Sequence, residues 1–208
     1  MKQKLLLLIL VLLSTLTASA YGAEIDGVYY NFDASTMEAT VVSGNTKYTG
    51  SVTIPETVTY NNVTYSVTSI GNKAFSGCKG LTSVTIPNSV TSIGSFAFEN
   101  CSDLTSVHIT DLAAWCKINF SDYMSNPLYY AKHLFMDGKE IKDLVIPNSV
   151  TSIGYSAFYG CSRLTSVTIP NSVTSIGNSA FYGCSRLTSV TIPNSVTTIG
   201  NNAFWISI

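Results

Sequence analysis

LTSVTIPNSVTSIGNSAFYGCSR, residues 164–186, lies on itself when the chain is slid by 23 positions. Ile146, Ile169 and Ile192 then coincide, as do Phe158, Phe181 and Phe204, and Cys161 with Cys184. An earlier copy runs through Ile86, Phe98 and Cys101. A fixed period of this size marks stacked coils, each too small to bury its own apolar face.

Within one copy the apolar positions are Leu164, Val167, Ile169, Val173, Ile176, Ala180, Phe181 and Cys184. Residues 164–169 are β-branched and alternate near their end, with Ser166 and Thr168 between apolar neighbours, which predicts a short strand with one buried face. Pro170-Asn171 stops it, because proline fixes φ and cannot donate to a ladder. Residues 172–176 read as a weaker second strand closed by Gly177. Residues 179–183 are too short for a helix and suit a turn that plugs the coil with Phe181. Ordering the backbone of a single copy costs more than its few apolar side chains return on burial, so backbone pairing between neighbouring coils is required.

The pattern LxxVxIPxxVxxIGxxAFxGCxx, recurring in register from Ser51 to Phe204, resembles the leucine-rich repeat proteins of the BspA (treponemal) type. It departs from the general leucine-rich repeat pattern at the ninth position, where Ser172 replaces the usual Asn or Cys. The resemblance implies a β-rich solenoid at the surface of host-associated bacteria. It implies as partners host extracellular matrix proteins or other bacterial surface proteins.

Taken in order, residues 1–20 read as a secretory signal peptide. Lys2 and Lys4 precede an apolar run, residues 5–13, and Ala18-Ser19-Ala20 forms a small-residue cleavage site. The run is short for a bilayer span, so no transmembrane segment is expected in the mature chain. Without the two leader lysines the 11 basic residues fall to 9 against 12 acidic ones, a net charge of −3, which excludes a basic nucleic-acid surface. Residues 21–48 break the repeat and read as an N-terminal β cap; residues 49–208 form the solenoid. The first coil carries a hairpin insertion at 57–66, with Asn61-Asn62 as its turn. The third carries an insertion at 111–133. Twenty-six positions separate Ile109 from Phe135, against 12 from Ile169 to Phe181, which places Phe135 as the plug of that coil. Asp111 is suited to cap a helix over residues 112–116, and Asn126-Pro127 to start another toward Leu134. The sixth coil begins at Leu187; either Trp205, Ile206 and Ile208 give it only a thin cover, or the chain is a truncated version of a longer array.

Four cysteines, Cys78, Cys101, Cys161 and Cys184, share one repeat position, with Gly138 at that place in the third coil. Adjacent coils put Cys78 with Cys101 and Cys161 with Cys184 within bridging reach, but equivalent side chains point the same way, which favours buried free thiols. Cys116 lies outside this ladder, and a thiolate–imidazole pair with His108 or His133 lacks any visible third member. No metal-ligand spacing, phosphate loop or paired-carboxylate motif is present, so neither a cofactor nor an enzymatic reaction is expected.

The outward strand positions form a ladder that includes Ser83, Thr85, Ser106, His108, Asp143, Val145, Ser166 and Thr168. Its middle rungs are expected to adjoin the insertion, which holds Trp115, Tyr123, Tyr129 and Tyr130. Two readings of that insertion stay open: its aromatics form a partner-binding surface, or they are buried against the solenoid edge. The functional expectation is an exported, non-catalytic protein-binding or adhesion module at the cell surface, in the extracellular space or in a periplasm. The alternatives are a structural spacer or a chain that self-associates through an open C-terminal edge. Ordered-water binding by the Ser/Thr ladder is an outlier.

Overall fold

The computed structural model describes residues 22–205, so the expected signal peptide, Tyr21, and Ile206 and Ile208 lie outside the described residues. The chain opens with β1 (Ala23–Ile25), β2 (Val28–Asp33) and β3 (Glu38–Val42), an antiparallel meander whose last strand runs parallel to β6. Strands β4 (Gly50–Thr53), β5 (Thr57–Tyr60) and β6 (Val63–Ile70) follow. Strands β5 and β6 join through Asn61 and Asn62, at φ 50° and 63°. Positive φ at both central residues matches the right-handed twist of a hairpin, and Asn tolerates it. The meander buries Tyr30, Ala39 and Val41 beneath the first coil, and Tyr48 packs on Phe75 with ring centroids 4.6 Å apart.

The coils then stack as a β-solenoid. First-strand positions are β7 (Leu81–Ile86) and β9 (Ser106–Ile109); the second-strand position between them is β8 (Ser92–Ile93). After the insertion come β13 (Asp143–Val145), β14 (Ser152–Ile153), β15 (Ser166–Thr168), β16 (Ser175–Ile176), β17 (Val190–Thr191) and β18 (Thr198–Ile199). All pairings among these first- and second-strand elements are parallel, with Val84 opposite Val107 and Leu144 opposite Val167. Strict register keeps each apolar residue above its counterpart, so Leu81, Val84, Ile86, Leu164 and Val167 line one interior. Phe75 stacks on Phe98 at 4.9 Å, and Phe158, Phe181 and Phe204 stack at 5.2 Å per step. At the corners, Thr91, Thr105, Thr165, Thr174 and Thr197 donate their hydroxyls to carbonyls of the preceding coil. Those hydroxyls are therefore taken up in holding coils together.

Two backbone constraints recur. The residue before each Ala-Phe pair is left-handed in Lys73, Phe96, Ser156, Ser179 and Asn202, with φ between 53° and 57°. The glycine closing each second strand is needed for a different reason, close approach. A Cβ on Gly177 would stand 2.7 Å from the Tyr155 nitrogen and 2.8 Å from the Gly154 carbonyl carbon.

The insertion changes the stacking more than its length suggests. It contains α1 (Leu112–Lys117), β10 (Asn119–Phe120) and α2 (Leu128–Ala131), and it leads into β11 (Leu134–Met136) and β12 (Lys139–Glu140). Strand β11 adds to β9 in parallel, with Leu134 opposite Val107 and Phe135 opposite His108. Phe135 is therefore not the plug of the third coil. It lies on the outer face of a first-position strand and stacks on His108 at 4.9 Å. Ser125 occupies the plug register instead, because Phe98 N–H donates to Met124 as Phe158 N–H donates to Ala180. Strand β12 turns back antiparallel on β11, and the sheet β12-β11-β9-β7-β4 ends there. A separate sheet, β13-β15-β17, begins after it. The outer ladder expected to run unbroken from Ser106 to Asp143 is thus interrupted by a hairpin. The inner row is interrupted as well: Ile141 is only partly buried, and its N–H turns to the Leu134 carbonyl.

At this break Glu140 accepts from His133 Nδ1 at 2.6 Å and lies 3.6 Å from both Lys142 and Arg163. Burial raises its pKa, but the His133 hydrogen bond and the charges of His133, Lys142 and Arg163 outweigh this and hold the carboxyl below its ordinary value. A depressed carboxyl stabilises the fold above its unfolded pKa and loses that contribution as pH falls through the folded one. Glu140→Gln is expected to lower stability at neutral pH and to flatten the loss of stability below about pH 4 in acid titrations followed by circular dichroism. Gly177→Ala, which forces two backbones apart, is expected to cost about 1–3 kcal/mol in urea denaturation.

Candidate functional site

In the regular coils one set of N–H groups always donates to the next coil. Phe75 N–H reaches the Ala97 carbonyl, Lys73 reaches Ser95, and Gly77 reaches Glu99. An insertion must satisfy the same groups without the same backbone. Here side chains substitute. Phe96 N–H donates to Asp122 Oδ2 at 3.0 Å, and Asn100 N–H donates to the Tyr130 hydroxyl at 2.8 Å. On the opposite face the Ala157 carbonyl accepts from Trp115 Nε1 at 2.9 Å and from Asn126 Nδ2 at 3.1 Å. Asn126 Nδ2 also reaches the Ser156 carbonyl at 2.8 Å, and its Oδ1 accepts from Leu128 N–H. Helix α1, capped by the Asp111 carboxylate on Ala114 N–H, carries Trp115 inward and offers the Cys116 carbonyl to Gly154 N–H.

Trp115 is 1% exposed and packs edge-on to Phe120 at 5.3 Å. It belongs to the seam between the two halves of the solenoid, and the surface reading does not hold for it. Burying an indole is tolerable because its N–H finds a carbonyl. Tyr130 is likewise engaged through its hydroxyl.

Tyr123 and Tyr129 behave differently. They lie on the turn side of the coils, with ring centroids 5.4 Å apart, and Tyr159 stands 5.6 Å from Tyr123 and 5.8 Å from Tyr129. Tyr159 in turn stacks on Tyr182 at 4.7 Å and 8°. Gly183 N–H bonds the Trp205 carbonyl, which brings Trp205 to the next step of the same edge. Tyr123 is 38% exposed and Trp205 55%. The result is an aromatic edge running from the insertion to the last described coil. Tyr159, Tyr182 and Trp205 were missed in the sequence because they stand beside the core phenylalanines. The available signal was comparative: the same place holds Ser76 and Glu99 in the earlier coils. Burial and the neighbouring tyrosines push the Tyr159 phenol up to about 12, so it remains a neutral donor and acceptor near neutrality.

The strand-face candidates lie on another side and do not converge with this edge. Ser83 donates to Ser51 at 2.6 Å, Thr85 stands opposite His108, and His108 meets Ser106 at 3.3 Å. Across the break, Ser166 donates to Asp143 at 2.6 Å, and the exposed Val145 faces Thr168 in register. All five cysteines are free and buried. Burial, with a smaller contribution from Asp111, pushes the Cys116 thiol up to about 12, the reverse of an activated nucleophile. Among the described residues no group of three or more His, Cys, Asp or Glu side chains is placed to hold a metal, and no helix is long and apolar enough to cross a membrane. Asn126→Leu, which removes the amide bonds to the Ser156 and Ala157 carbonyls and leaves Leu128 N–H without its partner, is expected to cost about 1–3 kcal/mol in chemical denaturation. Trp115→Phe, with one Ala157 bond left, should cost about 1 kcal/mol.

Comparison with known proteins places the chain. The BspA type leucine rich repeat region matches residues 44–125 and 129–207, in 6 copies. A leucine rich cell surface protein from Faecalibacterium prausnitzii is similar at 32% identity and TM-score 0.56, over 89% of this chain and 52% of that one. A leucine-rich repeat protein from Bacteroides ovatus is similar at 32% identity and TM-score 0.59, over 89% of this chain and 51% of that one. The chain thus spans about half the length of these two structures. No curated protein matches it. With repeats matched over most of its length and the parallel coils laid out above, the chain belongs to the BspA-type leucine-rich repeat family.

Proposed function

We propose that this chain is a non-catalytic protein-binding module, exported to the cell surface, which attaches to host or bacterial proteins through its aromatic edge. One observation carries the reading. Coils whose edge position is Ser76 or Glu99 stack as well as those with Tyr159 or Tyr182, so the fold does not require aromatics there. Tyr159 and Tyr182 are half-buried, and partly exposed aromatics that stability does not need are what protein interfaces use as anchors. The similarity to a leucine rich cell surface protein supports the location. Adhesion to a host or bacterial partner extends that similarity, and it rests on the edge alone.

The double variant Tyr159→Ser, Tyr182→Ser puts at both positions the serine that Ser76 supplies in the first coil. It is expected to keep the native fold, with a melting temperature within a few degrees of the parent, while losing about tenfold or more in affinity for immobilised host matrix and bacterial surface proteins. Biolayer interferometry reads the affinity and circular dichroism the fold. Binding by the variant equal to that of the parent would remove the edge from the function.

A further inference from the structure

Lys132 stands at the centre of the aromatic edge without the partner that its position demands. It ends α2 in a left-handed conformation, φ 64°, which turns its side chain back over the coil that follows. Its Nζ lies 5.0 Å from the Tyr129 ring centroid and so close to Gly160 that a Cβ there would stand 3.0 Å away. Every ion pair among the described residues involves Glu140, and Lys132 joins none of them. The comparison with Lys47 is instructive. That ammonium lies near the equivalent Gly77 and donates to the Ser76 carbonyl at 2.5 Å. Lys132 has only the face of Tyr129. Burial lowers its pKa, as expected for a partly desolvated ammonium without a counter-ion.

We infer that the aromatic edge receives an acidic segment of a partner protein, with a carboxylate of that segment on Lys132 and its apolar side chains against Tyr123, Tyr129, Tyr159 and Tyr182. The inference rests on the binding reading above and adds to it the chemistry of the partner. Two features favour a protein segment over a polyanionic chain. The net charge of this protein is negative, which opposes long-range attraction of a polyanion, whereas a single carboxylate needs only the one local cation. The rings of Tyr159 and Tyr182, 8° from parallel, spend their facing sides on each other, which leaves their edges for contact with a partner. Edges suit packing against protein side chains better than stacking on sugar rings.

The test uses a displayed library of random 12-residue peptides, selected against the protein and against its Lys132→Met, Lys132→Glu and Tyr159→Ser, Tyr182→Ser variants, each first shown by thermal melting to be folded. Peptides rich in Asp or Glu beside apolar residues should emerge for the parent. They should weaken about tenfold on Lys132→Met and in 0.5 M salt, and Lys132→Glu should select basic peptides instead. Peptides that bind the tyrosine edge equally with and without Lys132 would overturn the acidic partner while leaving the binding reading standing. Peptide binding indifferent to the tyrosine variant, or no binding at all, would overturn both. A glucuronate-bearing oligosaccharide that binds through Lys132 where peptides do not would assign the site to anionic carbohydrate and reject a protein segment.

Discussion

Backbone hydrogen bonding from one coil to the next is the constraint on which the whole structure depends. Each coil donates its turn N–H groups to the coil that follows and its corner N–H groups to the coil before, and a buried peptide group left without a partner costs about 1–3 kcal/mol. Regular coils meet this requirement automatically, because identical backbones superpose. That is why the sequence tolerates so little variation at the apolar and glycine positions, and why the corner threonines turn their hydroxyls to the carbonyls of the coil before. The same demand explains the form of the insertion. Asp122, Tyr130, Trp115 and Asn126 stand where no coil backbone can, and they supply hydrogen bonds to groups that a regular coil would have met through its main chain. The insertion is a splice between two stacks.

Splicing has consequences for the surface. Because the seam consumes Trp115 and the Tyr130 hydroxyl, those residues are fixed by the fold. Tyr123 and Tyr129 project from the same segment onto the edge where Tyr159 and Tyr182 already stand. The insertion therefore serves two ends. Its inner residues repair the ladder, and its outer residues begin an aromatic row that the earlier coils lack. The hairpin β11–β12 closes one sheet on the opposite side, with Glu140 gathering His133, Lys142 and Arg163 at the break. Charges that are scarce along the regular coils concentrate where regularity fails.

The cysteine ladder shows how the same repetition shapes chemistry. Stacked equivalent thiols are buried, and Cys101 and Cys184 donate to the carbonyls of Phe75 and Phe158 one coil back. Desolvation raises every one of their pKa values. Each thiol thus acts as a small apolar residue with a weak donor.

The sequence by itself determined the coil, its period and its interior, because those depend on residues 23 apart being alike and on the local chemistry of Pro170, Gly177 and Phe181. A repeated pattern is legible precisely where geometry is repeated, and the parallel stack with its phenylalanine column was readable for that reason. Only the tertiary structure decided what the unrepeated segment does. Phe135 matched the plug by spacing, yet it pairs with His108 in a strand, since the hydrogen-bond ladder of β9 claimed it first. Trp115 and Tyr129 look equally suited to an interface in one dimension. They part ways because one indole N–H could reach the Ala157 carbonyl across the seam, while the phenol ring had only the neighbouring tyrosines and an ammonium to meet.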